Sequence, residues 1–275
     1  MAGTSRLAHP CVLAFDDHFS SNPAFKPLLD MLYDFTAEYS IQSHFLAADG
    51  GGVCHSVIRD NYAAPGKLII GTDSHTPTCG IRGALGLAVG ATEAAAAIEA
   101  GAWGGIAVPP GFNANYTDTL TIDLNKIVPA VALPHNPGNY MPLADLPEPV
   151  PVHKVFVGSC TGGLLYDIQL AADLLRGNHV ADWVKLYVQP SSNPIYAEAE
   201  KLDLLDIIRE AGGVVLKPAC GGCIGQGEAA IGDGENGVWN SNRNYQGRVG
   251  SAKGNVYIAS TRAAVLAAIH GALGV

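Results

Sequence analysis

The sequence predicts an α/β fold: mostly parallel sheets flanked by helices, arranged as two lobes. Three observations predict it. Short apolar or β-branched runs alternate with helix-length segments, the strand, loop, helix rhythm of parallel sheets. Those runs are continuous rather than alternating in polarity, as strands buried on both faces require. Near mid-chain, Asp145-Leu-Pro-Glu-Pro-Val-Pro-Val152 carries alternating prolines that exclude a helix and favour an extended connection. The expected organisation is an N-terminal lobe over 1–146, a Pro-rich linker over 147–152 and a C-terminal lobe over 153–275.

In chain order, Cys11-Val-Leu-Ala-Phe15 reads as the first strand, followed by a helix over 24–38. Lys67-Leu-Ile-Ile-Gly71 is the next strand, and an Ala-rich helix is expected over 86–101. Beyond the prolines, Lys154-Val-Phe-Val-Gly158 precedes a helix over 167–175, and Val184-Lys-Leu-Tyr-Val188 precedes a helix over 195–211. Val214-Val-Leu216 is a further strand, and the last helix, over 261–271, has apolar residues at helical spacing with Gly271 and Gly274 near its end. In such folds the chemistry gathers at the carboxyl ends of the strands.

Composition narrows the function classes. The 275 residues are 48% hydrophobic, enough for a substantial core, and the 33 glycines with only 7% aromatics suit tight packing and close backbone approach to a bound group. A formal charge of -9 leaves no basic footprint for a phosphate backbone, so no nucleic-acid partner is expected and an anionic substrate must be gripped by local arginines. No run of about 18 apolar residues occurs, so no membrane span is expected. The reading is a cytoplasmic protein whose six cysteines are reduced or metal-bound rather than paired.

Three cysteines carry the strongest chemical signal: Cys160 in Val-Gly-Ser-Cys-Thr-Gly-Gly, and Cys220 with Cys223 in Ala-Cys-Gly-Gly-Cys-Ile-Gly. A bare Cys-x-x-Cys also arises from zinc knuckles, redox pairs and chance. A structural zinc site wants four ligands, and neither a second Cys-x-x-Cys nor a His pair stands near Cys160; a redox pair leaves Cys160 unexplained. Three thiolates among small residues leave one metal corner open, which favours Lewis-acid chemistry. The bland alternative is three buried core cysteines. Cys11, Cys54 and Cys79 read as that bland kind, although Cys54 and Cys79 lie near candidate site histidines.

Asp16-Asp17-His18 follows the first strand, and Gly71-Thr-Asp73-Ser74-His75-Thr76 follows the second, so each places an Asp/His pair at a strand end. A carboxylate beside an imidazole fixes its tautomer and raises its basicity, as proton transfer requires; the alternative is a surface loop with capping residues. His55, after a glycine-rich turn, taken alone is more often a satisfied buried histidine than a ligand or acid. Ser241-Asn242-Arg243-Asn244-Tyr245-Gln246-Gly247-Arg248 sets two guanidiniums five residues apart, a grip for a di- or tricarboxylate or else a turn with solvent-facing arginines.

These segments, with Gly83-Ala-Leu-Gly86 and Val89-Gly-Ala-Thr-Glu93, resemble the aconitase superfamily in content and in order, and in particular its iron-sulfur part as found in aconitase and the large subunit of 3-isopropylmalate dehydratase. The resemblance implies an aconitase iron-sulfur-domain-like fold with the cluster between the two lobes. It implies that Cys160, Cys220 and Cys223 hold three irons of a 4Fe-4S cluster whose fourth iron takes substrate. Asp17 with His18, and Asp73 with His75, match the paired groups that protonate the leaving hydroxyl and organise water. His55 matches another active-site histidine, and Asn242, Arg243 and Arg248 a cluster-side amide and two substrate-binding arginines.

The implied reaction is reversible dehydration of a small hydroxy di- or tricarboxylic acid. Departures from the pattern are expected to matter. The family unit is longer, and a piece is missing between Thr92-Glu93 and Asp118-Thr-Leu-Thr-Ile-Asp-Leu-Asn125. Glu99 is read as the family's active-site glutamate, with Glu93 the competing assignment; with Glu99, the amide position four residues earlier is Ala95. The residue after Thr161 is Gly162 where the family has Asn.

The family's serine base and further arginines reside in a swivelling domain or small subunit. Three function classes therefore follow. The first is a hydro-lyase large subunit completed by a small subunit that carries the swivel domain. The second is a stand-alone iron-sulfur lyase acting on another hydroxy acid, as a homo-oligomer with Ser74, His75 or a neighbouring chain as base. The third is a non-catalytic cluster-binding sensor.

Overall fold

The computed structural model describes residues 13–14, 23–41, 44–45, 51–100 and 123–275. By internal contact the chain forms two compact units, Met1–Asp123 and Leu124–Val275. The Pro-rich stretch 147–152 thus lies inside the second unit, where its Val150–Pro151 pairs with residues near the end of the chain.

In the first unit, β1 (Leu13–Ala14) runs parallel to β2 (His44–Phe45), and α1 (Lys26–Glu38) lies between them in sequence, entered through a 3-10 turn at Pro23–Phe25. Then come α2 (Cys54–Tyr62), β3 (Leu68–Gly71), β4 (Leu85–Ala88) and α3 (Ala91–Ala100). β3 and β4 are parallel neighbours, with Leu68 opposite Leu85 and Gly71 opposite Ala88. The connection between them carries the Asp/His segment and a 3-10 helix, Thr76–Arg82, which stops at Gly83 in the left-handed conformation (φ 77). The expected helix over 86–101 begins only at Ala91, because Leu85–Ala88 pairs in register with β3.

The second unit is built on a seven-stranded sheet. Its strands are β5 (Ala130–Ala132), β6 (Tyr140–Pro142), β8 (Lys154–Gly158), β9 (Lys185–Gln189), β10 (Val214–Val215), β11 (Asn236–Asn240) and β12 (Asn255–Ala259), while β7 (Val150–Pro151) pairs antiparallel with β13 (Ala272–Leu273). The order is β10-β9-β8-β11-β12-β5-β6, the first five strands parallel and the last two antiparallel additions. The helices are α4 (Ser159–Gly162), α5 (Leu165–Leu175), α6 (Asn193–Lys201), α7 (Leu204–Glu210) and α8 (Thr261–His270). A single helix over 195–211 is not formed. The chain turns at Asp203, which sits in the left-handed region (φ 57) that Asp tolerates better than most residues.

Pleating explains why the parallel strands are apolar throughout. Val155, Val157, Leu186, Val188 and Val238 face a core completed by Ile168, Leu205, Ile208, Ala264 and Val265 from the helices. The alternate residues Phe156, Tyr187 and Trp239 face a second cluster with Cys223, Ile231 and Val256. Trp239 and Phe156 stack with ring centroids 6.0 Å apart, and both are fully buried.

At the opposite end of β8, Lys154 Nζ lies 2.9 Å from Glu235 Oε2, and the Gly232 amide donates to the same oxygen at 2.6 Å. Burial alone pushes the Glu235 carboxyl up, yet the Gly232 N–H and Lys154 hold it below its ordinary value. A carboxyl lowered in the folded state stabilises the fold above its unfolded pKa, about 4.3, and that contribution is lost as pH falls. Glu235→Gln is therefore expected to lower stability at pH 7 while making the acid limb of a stability profile below about pH 4 shallower; an unchanged limb contradicts this role.

Candidate functional site

Candidate residues in the second unit collect at strand carboxyl ends. From the adjacent parallel pair β8 and β11, strand order runs outward in opposite senses, to β9 and β10 on one side and to β12 on the other. Such a reversal opens a crevice beyond the strand ends, the ligand position of open α/β sheets. Cys160 directly follows β8, and Ser241, Asn242 and Arg243 directly follow β11, so both segments flank this crevice. The Cys220–Cys223 turn, coiled as a 3-10 helix over Gly221–Ile224, packs against β8 and α4.

Close approach is built in. Gly158 ends β8 against β9, where a Cβ would lie 2.5 Å from the Gln189 carbonyl oxygen. At Gly222 a Cβ would lie 2.6 Å from the Phe156 ring, and the Gly222 carbonyl accepts a hydrogen bond of 3.0 Å from buried Trp239 Nε1. The cysteine turn is thus clamped onto the second core cluster. Gly222→Ala is expected to displace it and reduce iron retained after reconstitution by about half or more, because overpacking a tight core costs about 1–3 kcal/mol. Iron and sulfide content equal to wild type contradicts the clamp.

Cys223 is buried, whereas Cys160 and Cys220 are half-buried. Burial pushes the Cys223 thiol up, opposed by the Arg248 guanidinium, the Ser159 hydroxyl and, more weakly, Arg243. Those opposing groups locate the thiol: Cys223 stands beside Ser159, which precedes Cys160, and beside Arg248, with Arg243 within electrostatic reach. Ser159 itself occupies the left-handed region (φ 60), a strained setting for a residue with a side chain. Arg248 is held by Tyr245, with the guanidinium carbon 5.7 Å from the ring centroid and Nη1 3.4 Å from the hydroxyl.

At the carboxyl ends of β8, β9 and β11, and at Arg248, the atoms Ser159 Oγ, Gln189 Oε1, Ser191 Oγ, Ser241 Oγ and Arg248 Nε are buried without an aligned hydrogen-bond partner. Each such group costs about 1–3 kcal/mol unless something satisfies it. Of these, the serine hydroxyls and Arg248 Nε are donors, and a bound group rich in acceptors, such as the sulfides of an iron-sulfur cluster, would take their bonds. The residues therefore fit the group. Ser159, Gln189 and Ser191 escaped the sequence reading; the signal available was their place at the ends of β8 and β9.

In the first unit, α2 starts at Cys54 and puts His55 in its first turn, while Asp73 and His75 follow β3. His55 Nδ1 lies 3.0 Å from Asp73 Oδ1, close enough for an ion pair but not aligned as a hydrogen bond. His75 Nδ1 lies 3.8 Å from the same oxygen, and the His75 amide donates to it at 3.0 Å. The two imidazoles stack, centroids 4.6 Å apart and planes 26° apart. Burial pushes the Asp73 carboxyl up, but His55 and His75 reverse this and hold it well below the usual carboxylate range. Asp73 is thus an ionised partner for two imidazoles, and His75, with 20% of its side chain exposed, is the one open to solvent.

Ser74 is exposed in the same turn. Glu93, also exposed, folds back over Gly90 at the start of α3. Glu99 lies on α3, its side chain outside the described residues, and Asp17 and His18 lie outside them entirely.

A profile of the aconitase family (aconitate hydratase) matches residues 15–106 and 99–271, two pieces that meet inside the interval where a stretch was expected to be missing. The large subunit 1 of 3-isopropylmalate dehydratase from Pyrococcus furiosus is 30% identical over 352 aligned positions, 93% of this chain and 82% of the relative. The homoaconitase large subunit of Thermus thermophilus is 30% identical over 312 positions, 82% of this chain and 74% of the relative. The 3-isopropylmalate dehydratase large subunit of Nautilia profundicola is 41% identical over 160 residues, 58% of this chain and 38% of the relative, so in that match the chain spans well under half the relative's length. With the profile covering most of both units and every candidate site residue from Asp17 to Arg248, the chain belongs to the aconitase family, a family of hydro-lyases.

Proposed function

We propose that this protein is an iron-sulfur hydro-lyase acting on a small hydroxy di- or tricarboxylic acid, as a cytoplasmic large subunit completed by a small swivel-domain partner. The observation that carries the reading is that the segments of Cys160 and of Asn242–Arg243 follow the adjacent strands β8 and β11, with Cys223 beside Ser159 and Arg248. Family membership and the words "large subunit" in the names of its relatives support it.

In this reading Cys160, Cys220 and Cys223 hold a 4Fe-4S cluster. When bound, that cluster supplies a Lewis-acidic iron for a hydroxyl leaving group. Arg243 and Arg248 grip substrate carboxylates, and Arg248, fixed against Tyr245, presents its fork in one orientation. Asn242, next to Arg243, supplies an amide on the cluster side. In the Asp73 and His75 pair, the ionised carboxylate facing Nδ1 favours the proton on that nitrogen and leaves Nε2 to exchange a proton with substrate. The doubly protonated imidazole would give its Nε2 proton to the departing hydroxide and return to the neutral tautomer with the proton on Nδ1, while His55, 3% exposed, holds Asp73 from the other side. Asp17, His18 and Glu99 are assigned to the same proton-transfer set, with Ser74 beside them.

The test is electron paramagnetic resonance of the anaerobically reconstituted, reduced protein, with and without a panel of hydroxy di- and tricarboxylates. A cluster signal perturbed by one acid is the expected result and narrows the substrate class. A signal indifferent to every acid, even with the small partner present, supports the sensor reading. Absence of any cluster overturns the assignment of the three cysteines.

A further inference from the structure

Cys160 sits in a turn that does not hold itself. The helix α4 is four residues long, lacks a side-chain cap at its start, and begins at Ser159 in the left-handed region (φ 60). A single helical turn fixes several backbone angles for very few hydrogen bonds, so its shape is set by what packs on it. On the β9 side the Ser191 amide donates to the Gly163 carbonyl at 2.9 Å. On the other side the contact is Asn240, the last residue of β11. Its carboxamide covers Gly162 so closely that a Cβ there would lie 2.5 Å from Asn240 Cγ, and Thr161 Oγ1 donates to the Asn240 carbonyl at 3.4 Å.

The Asn240 carboxamide is itself held. Its Nδ2 donates to Thr261 Oγ1, and the Thr261 hydroxyl donates in turn to Asp167 Oδ1 at 2.6 Å. Thr261, 4% exposed, opens α8, and Asp167, in the first turn of α5, also accepts from the Leu164 amide. A hydroxyl has both a proton and lone pairs, so it can join an amide donor to a carboxylate acceptor in one chain. The starts of α5 and α8 and the end of β11 are thus tied together over the Cys160 turn.

We infer that Asn240 and Thr261 are positioning residues for Cys160: the relay from Asp167 through Thr261 to Asn240 seats a carboxamide on Gly162 and so sets the direction of the Cys160 thiol. The cluster role of this relay rests on the reading of Cys160 as a cluster ligand. Asn242 and Arg243 continue closely from Asn240, so the same relay keeps the Cys160 turn in register with the segment assigned to substrate.

Thr261→Val tests it by keeping the shape of the side chain and removing the hydroxyl, and Thr261→Ser restores the hydroxyl. In the reconstituted intact chain, release of iron to a ferrous chelator is expected to be about tenfold faster in Thr261→Val, as for groups behind a metal ligand, and within about twofold of wild type in Thr261→Ser. After the iron is stripped, iodoacetamide labelling read by peptide mass is expected to show the Cys160 rate raised about threefold or more relative to Cys220 in Thr261→Val, a local loosening that a general loss of stability does not confine to one cysteine. A Cys160 to Cys220 ratio equal to wild type overturns the relay, and so does Thr261→Ser behaving as Thr261→Val. If Thr261→Val does not fold, Asn240→Ala, which leaves the bond from Thr261 to Asp167 in place, is held to the same readouts. A wild-type chain that retains no iron overturns the cluster reading instead, while the labelling ratio still decides the relay.

Discussion

Cys223→Ser is expected to abolish a stable 4Fe-4S cluster, with iron and sulfide content of the reconstituted protein falling to background. Cys223 is the most enclosed of the three cysteines, 4% exposed, and belongs to the cluster of residues that contains Phe156 and Trp239. A serine there puts a hydroxyl of much higher pKa in a setting that already opposes ionisation of a thiol. The turn offers no substitute: on either side stand Gly222, pressed on Phe156, and Ile224. Full iron and sulfide retention, with unchanged secondary structure, removes Cys223 from the ligand set.

Arg248→Lys is expected to weaken binding of the cognate hydroxy acid about 10- to 100-fold, the equivalent of one charge-assisted hydrogen bond at about 1.5–3 kcal/mol, while the cluster stays intact. An ammonium preserves the positive charge beside Cys223 but cannot form the planar, two-pronged contact with a carboxylate. It also loses the guanidinium packing over Tyr245 that sets the angle of the fork. Two readouts separate the roles: acid-dependent perturbation of the cluster signal, and iron content. Unchanged affinity removes Arg248 from substrate binding. Loss of iron instead assigns its main work to the Cys223 side of the cradle.

Much of the fold was readable because parallel strands are apolar on both faces. β3, β8 and β9 fall within a residue or so of their expected positions, as do the helices over 26–38, 165–175 and 261–270. Other elements were hidden by local composition. β11 is Asn-Gly-Val-Trp-Asn, flanked by polar residues and broken by Gly237, which is present because the Trp239 ring covers it. β4 sits in a Gly- and Ala-rich stretch that reads as helix, and only pairing with β3 makes it a strand. The break at Asp203 depends on one backbone angle that no periodicity records.

The site divides in the same way. The sequence by itself determined the chemistry-bearing sets: three cysteines among glycines, Asp73 with His75, Arg243 with Arg248, and their order along the chain, because these depend on residue type and local spacing. Tertiary structure alone decided which members meet. Strand order brings the ends of β8 and β11 side by side from positions some eighty residues apart in sequence, and packing sets buried Ser159 beside Cys223 and Gln189 beside Gly221. It also joins Cys54, an unremarkable cysteine in the sequence, to Asp73 on a different element. The physical reason is that side-chain contact depends on how strands pair and helices pack, and those are properties of the whole buried core rather than of any one segment.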